Sequence, residues 1–454
     1  MSTFDLIIRG GKLVTPDGVQ SADLGVSEGR IANIARCIAD SGANEIEAAG
    51  RYVFPGIIDA HVHFNEPGRT DWEGLASGSA ALAAGGGVCF FDMPLNSEPP
   101  VLDAAAFREK RLLAEEKSCV DFALWGGLVP GNLDKLAGLA AAGAIGLKAF
   151  MCASGIDSFP RIDGNALREG MKRAAKLGLL VAVHAEDDVL AAKFTAGLKR
   201  NGRSDAKAYL ASRPVEVELN AIRQALEFAG ETGCALHIVH VSSPEGIALI
   251  AEARAQRVDV TAETCPHYLL LNERDVSRLG AVAKCAPPLR DEARRRALWD
   301  DLYAGRIQTI GSDHSPAPME LKTKDFFSAW GGIAGVQHGF GLLLSEALHG
   351  AVGERALPVF AAVMARNVAR RFRIDEHKGQ LAVGHDADFS VLEFGAEREI
   401  AEEELWTRHR ISAYVGRRSR IRVTHTFVRG HAVWADGRLV TPSPKGQFLR
   451  PEQS

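Results

Sequence analysis

Six side chains of metal-binding or ionisable type stand at or near the ends of otherwise apolar runs in this chain. They are His61 and His63 in FPGIIDAHVHF, Lys148 in IGLKAFM, His184 in LLVAVHAED, His240 in ALHIVHVSS and Asp313 in IQTIGSDHS. Residues two apart share a side of an extended strand, so His61 and His63 can reach one ion. A single histidine on an apolar strand is more often a satisfied core residue, and His237, out of phase with His240, reads that way. Six such groups at strand ends are not what core packing predicts. Lys148 has no Asp or Glu beside it in sequence, and an unpaired buried ammonium is costly. It either salt-bridges a distant carboxylate or reacts with carbon dioxide to become a carbamate, N6-carboxylysine. The two carbamate oxygens could then serve two cations about 3.5–4 Å apart. Four histidines, the carbamate and Asp313 make a two-metal site of nitrogen and oxygen donors. Zinc suits them, and cobalt, manganese or iron could substitute.

The runs that carry these groups belong to a set of eight, which also includes GVCFFDMPL, VDFALWGGLV and VDVTAETCPHY. Each is nearly continuously apolar, as a strand buried on both faces must be. Helical segments separate most of them, at 165–178, 214–233 and 244–256, the last with Ser243 as cap and Pro244 in its first turn. Eight such units between residues 53 and 378 predict an α/β fold, a (β/α)₈ TIM-type barrel whose strand C-termini converge on one face. An open doubly wound sheet would want Gly-x-Gly-x-x-Gly after its first strand, and none is there. Gly85-Gly86-Gly87 reads as a helix-ending loop. The two chain ends resemble each other: FDLIIRGGKLVTPDG and TFVRGHAVWADGRLV alternate in polarity around Asp-Gly turns, the chemistry of tight hairpins. With KGQLAVGHDADFSVLEF (378–394) as further strand, residues 1–52 and 379–454 predict one small β-sandwich domain built from both termini.

The 454 residues carry 53 Lys+Arg against 57 Asp+Glu, a net charge of −4, and 46% are hydrophobic. That composition excludes whole-chain disorder and gives no reason to expect nucleic acid or an anionic membrane as partner. The arginine-rich stretch 408–423 is interleaved with Ile, Val and Tyr, and reads as a solvated or subunit-contacting surface. No apolar run approaches the ~20 residues of a membrane span, and the first residues lack a secretory pattern. Seven scattered cysteines, never Cys-x-x-Cys, fit reduced thiols in a cytoplasm.

Over nearly its whole length the chain resembles the cyclic amidohydrolases of the amidohydrolase superfamily. The resemblance lies in Pro-Gly-x-x-Asp-x-His-x-His (Pro55 to His63), Glu-Pro-Gly at 66–68, the lysine of GLKAF, His-Val-Ser-Ser (240–243), Ser-Asp-His-Ser-Pro (312–316) and Gly-x-Asp-Ala-Asp-Phe (384–389). It implies hydrolysis of a cyclic amide, and a homotetramer. Dihydroorotase-like members carry an arginine where this chain has Asn65, so an anionic ring loses a charge-assisted contact. Dihydropyrimidinase-like members carry an oxyanion-stabilising tyrosine where this chain has Ala153, leaving His267 or metal alone for that role. Met-Pro-Leu-Asn-Ser (93–97), Ala-Lys-Cys-Ala-Pro-Pro (283–288), Ala-Trp-Gly-Gly-Ile-Ala-Gly (329–335), Tyr-Val-Gly-Arg (414–417) and Pro-Lys-Gly-Gln-Phe (444–448) resemble the allantoinase branch instead. The substrate it implies is allantoin, a neutral hydantoin ring with a ureido arm, for which polar uncharged groups are suitable partners. Asn96 and Ser315, and backbone groups around Ala286 and Gly331, are the implied contacts. The expected mechanism is attack by a metal-bridged hydroxide, with Asp313 as general base and then general acid, giving allantoate. The alternatives are a hydantoinase or dihydropyrimidinase acting on rings without the arm, and a non-catalytic scaffold, which the intact set of six groups disfavours.

Overall fold

A computed structural model describes residues 4–440 and 446–452. The part of the 444–448 motif at Pro444 and Lys445 lies outside the described residues, as do 1–3, 441–443 and 453–454. The eight expected runs form parallel strands, here named β1 (Ile57–Val62), β2 (Gly87–Asp92), β3 (Asp121–Leu124), β4 (Leu147–Phe150), β5 (Val181–His184), β6 (Leu236–Ile238), β7 (Val260–Thr264) and β8 (Thr309–Ile310). Strands β1 to β3 pair in order, and β4 to β8 pair in order. Gly126–Gly127, continuing β3, pairs with β4. The ring closes where Val62 bridges His314 and the His63 amide donates to the His314 carbonyl at 2.8 Å. Asp59 on β1 reinforces this seam by accepting from the Ser312 amide at 2.9 Å. Every strand residue but Phe150 is buried. That two-sided burial is why the runs read as continuously apolar rather than alternating.

Helices return the chain between strands, and their ends follow local chemistry. Asp163 caps Gly164–Lys176, and Ser243 with Pro244 starts Pro244–Ala255, the Ser243 hydroxyl accepting from the Gly246 amide at 3.3 Å. Val215–Thr232 stops at Gly233, whose φ of 65° is the left-handed conformation glycine adopts without a Cβ clash. Gly85 ends Leu75–Ala84, as expected of that glycine run.

The two chain ends meet in one nine-stranded mixed sheet with its own small core of Leu6, Ile8, Leu24, Phe389, Val391 and Phe427. Asp436 and Gly437 take φ of 45° and 83°, the paired positive values a two-residue hairpin needs. Tyr52–Pro55 joins the halves, parallel to Phe4–Thr15 and antiparallel to Phe389–Glu399, and runs through Gly56 into β1. The expected strand over 378–394 starts only at Phe389. Before it, Lys378 is drawn out of any ladder by Asp121, Asp386 and Asp388, at 2.6, 2.8 and 2.6 Å. Residues 446–452 return to the barrel, where Phe448 bridges Phe122. No helix among the described residues is long and apolar enough to cross a membrane, and none of the seven cysteines is in a disulfide.

Candidate active site

The C-terminal ends of the strands open into a cavity of about 470 Å³. His61, His63, His184, His240 and Asp313 all border it. Asp313 Oδ1 lies 3.2 Å from His61 Nε2 and 3.3 Å from His63 Nε2, so three donor atoms from β1 and the β8 end converge. The His240 ring is 5.4 Å from that of His61 and 4.6 Å from that of His184. His184 ends β5, whereas His240 and Asp313 lie just past β6 and β8 with φ of 42° and 44°. Such left-handed backbone is uncommon in non-glycine residues and is held here by the surrounding packing.

Lys148 sits in the middle of β4 rather than at its end, and does not border the cavity. Its Nζ is buried with no hydrogen-bond partner among the described residues, and burial pushes its amine down to about 8. No carboxylate forms an ion pair with it among the described residues.

Burial pushes the Asp313 carboxyl up, but His61, His63 and His240 outweigh it and hold that carboxyl well below the usual range. Burial likewise pushes His63, His184 and His240 down, so these rings are neutral at neutral pH, the form in which imidazole donates a lone pair. The Nδ1 atoms of His63 and His240 are buried without a hydrogen-bond partner among the described residues. Neutral imidazoles, an ionised carboxylate and an unpartnered buried amine fit a centre for hard or borderline divalent cations. Burial pushes the nearby Cys152 thiol up to about 12.

Two buried glutamates absent from the sequence expectations hold the histidines from behind. Glu263 on β7 receives His61 Nδ1 at 2.7 Å and His237 Nε2 at 3.4 Å. Glu186 receives His184 Nε2 at 2.7 Å and Arg213 NH1 at 2.6 Å. For Glu186 burial acts upward, and Arg213 with His184 overcomes it to reach about 2. For Glu263 the same balance is set by His61 and His237, again at about 2. His237 is thus a satisfied core residue, its Nδ1 2.7 Å from the Thr261 hydroxyl. Gly311 is required by this arrangement, since a Cβ there would lie 2.7 Å from Glu263 Oε2 and 2.9 Å from His61 Cβ.

Asn96, Ser315, Ala286 and Gly331 all border the cavity, and so does Ala153, whose amide is already donated to Asp188 at 3.0 Å. Asn65 does not: it is buried, with Nδ2 3.4 Å from the Pro316 carbonyl. His267 is also set back, buried with neither ring nitrogen hydrogen-bonded among the described residues, and burial pushes it down to about 4. The wall is more cationic than expected for a neutral substrate. Lys199, Arg213 and Lys284 border the cavity, and Asp313 is the one carboxylate among the described residues that does. The 329–332 segment of that wall is clamped by two lysines. Lys284 Nζ donates to the Ala329 carbonyl, and Lys322 Nζ donates to Trp330 at 3.2 Å and Gly332 at 2.7 Å. Burial pushes Lys284 down to about 8 and Lys322 to about 7.

The chain matches the Amidohydrolase family over residues 52–433. It is 49% identical to an allantoinase of Deinococcus radiodurans across 99% of both chains, and 48% to one of Rubrobacter xylanophilus across 100% of this chain and 99% of that one. Among solved structures, the L-hydantoinase (dihydropyrimidinase) from Arthrobacter aurescens superimposes with a TM-score of 0.95 at 34% identity, covering 99% of this chain and all of the other. Matches of that extent, over a barrel that gathers neutral histidines and an ionised aspartate at its strand ends, leave one conclusion: the chain belongs to the amidohydrolase family.

Proposed function

We propose that the protein hydrolyses the cyclic amide bond of allantoin to give allantoate. The observation that supports this ring over its alternatives is the 49% identity to an allantoinase, against 34% to the L-hydantoinase. We infer a centre of two divalent cations, zinc in the favoured case, held by His61, His63, His184, His240, Asp313 and a Lys148 carbamate. The cations would supply Lewis acidity toward the ring carbonyl and toward water. Asp313, ionised and on the cavity wall, accepts a proton from the attacking water. As the C–O bond forms and the ring C–N bond breaks, Asp313 returns that proton to the departing nitrogen. Asn96 and Ser315, with backbone groups of Ala286 and Gly331, hold the ring and its arm. Lys199 and Lys284 on the wall suit electron-rich carbonyl oxygens and the carboxylate that ring opening creates, while Arg213 is committed to Glu186.

The same reading takes 53–378 as the catalytic barrel and 1–52 with 379–454 as the β domain. It also includes a homotetramer, by resemblance, and a cytoplasmic location, by the unpaired cysteines. A hydantoinase acting on rings without the arm is the second reading, favoured by the fold match alone.

Dialysis against a chelator is expected to abolish allantoin turnover. Divalent cation with bicarbonate should restore it more fully than cation alone, measured by ring-opening rate. Full activity in demonstrably metal-free protein would contradict the inferred centre.

A further inference from the structure

The His184 ring is fixed on three sides. Phe150 stacks on it at 4.6 Å and 14°, His240 meets it edge-on at 4.6 Å, and Glu186 Oε2 lies 2.7 Å from Nε2. Glu186 is fully buried, and a buried carboxylate persists only where its charge is met. Arg213 meets it, with NH1 2.6 Å from the same oxygen. Arg213 reaches Glu186 from the far end of Ala206–Ser212 and also borders the cavity. With Nε2 committed as donor to a carboxylate, the neutral ring keeps its lone pair on Nδ1.

Cys152, His184 and Glu186 also bring three donor atoms within 4.8 Å of one another. A cation among them would lie against the Arg213 guanidinium, so this cluster serves His184 rather than forming a site of its own.

We propose that Arg213 and Glu186 are positioning residues for cation binding: Arg213 holds Glu186 as an acceptor, and Glu186 fixes His184 in the tautomer that offers Nδ1. This rests on His184 being a ligand, and it goes further by assigning a role to two residues that touch neither cation nor reacting atoms. Outer partners of this kind typically change metal affinity by about 10–100-fold.

The test is zinc affinity, measured by competition with a chromogenic chelator on purified full-length protein, with melting curves of the metal-free forms as a folding check. Glu186→Gln keeps the shape and removes the charge, and Arg213→Met removes the partner. Each is expected to weaken zinc binding about 10–100-fold. Because the two act through one chain of contacts, the double variant should bind no more weakly than the weaker single variant. Arg213→Lys, which keeps a cation near Glu186, should bind more tightly than Arg213→Met, and it serves if Arg213→Met does not fold. A folded Glu186→Gln protein within twofold of wild type, or losses that multiply in the double variant, would overturn the proposal. Wild-type protein that takes up no zinc would overturn the ligand assignment of His184, and the proposal with it.

Discussion

Asp313→Ala and Asp313→Asn are each expected to lower kcat for allantoin by about 10²–10⁴-fold, the range a positioned acid–base group supplies. The two substitutions differ in what they leave behind. Asparagine keeps an oxygen near His61 and His63, which lie 3.2 and 3.3 Å from Oδ1 in the native chain, but it cannot take up a proton. Its loss should therefore fall on kcat, with KM little changed and metal content near wild type. Alanine removes the oxygen as well, so metal content should also drop. The φ of 44° at this position is tolerated better by asparagine than by most residues, which makes Asn the cleaner variant. Steady-state rates with metal analysis of the same samples decide the matter. A rate near wild type in either variant would remove Asp313 from its assigned role.

Lys148→Met should separate function from folding. The native amine is buried with no hydrogen-bond partner among the described residues, and the Phe150 ring at 5.1 Å with the more distant charges of Asp313 and Glu263 only partly offset its desolvation. Methionine is of similar length and apolar, and fits the same environment of β4 without a polar atom to satisfy. The metal-free variant should melt at or above the wild-type temperature, yet bind divalent cations poorly and turn over allantoin at less than about a hundredth of the wild-type rate, since the carbamate proposed for this lysine would have no amine to form on. Calorimetry of both metal-free proteins, with turnover after identical metal and bicarbonate loading, reads the two effects independently. A variant that keeps its activity would show that Lys148 is not a ligand. A variant destabilised by several kcal/mol would show that the amine has a structural partner.

Much of the site was legible because the barrel imposes a strict rule on its strands. Two-sided burial makes each run apolar, so His61, His184 and Asp313 stand out against their background. The cap at Ser243 and the stop at Gly233 are local, and local chemistry is written in adjacent residues. The supporting shell is different. His61 and Glu263 are 202 positions apart, and Arg213 meets Glu186 across 27. Such pairs exist only once the strands are in register. A signal was nevertheless present, since Glu263 is a carboxylate inside the apolar run VDVTAETC and Glu186 follows His184 by two. The lysine clamp on 329–332 was not legible as a clamp: Lys284 stood in a noted motif, but its partner segment lies 45 residues on, and Lys322 lies in a loop where a lysine is unremarked. The strand expected from residue 378 failed for a related reason: Lys378 is held by Asp121, Asp386 and Asp388, and the first of these is 257 positions away.

The most direct test of the central claim is the ring-opening of allantoin and dihydrouracil side by side, by purified protein loaded with divalent metal and bicarbonate. Hydrolysis of allantoin with kcat/KM at least about a hundredfold above that for dihydrouracil is expected, a margin of roughly 2.7 kcal/mol in transition-state binding. Preference for dihydrouracil, or no activity on allantoin from protein with metal bound, would contradict the substrate assignment.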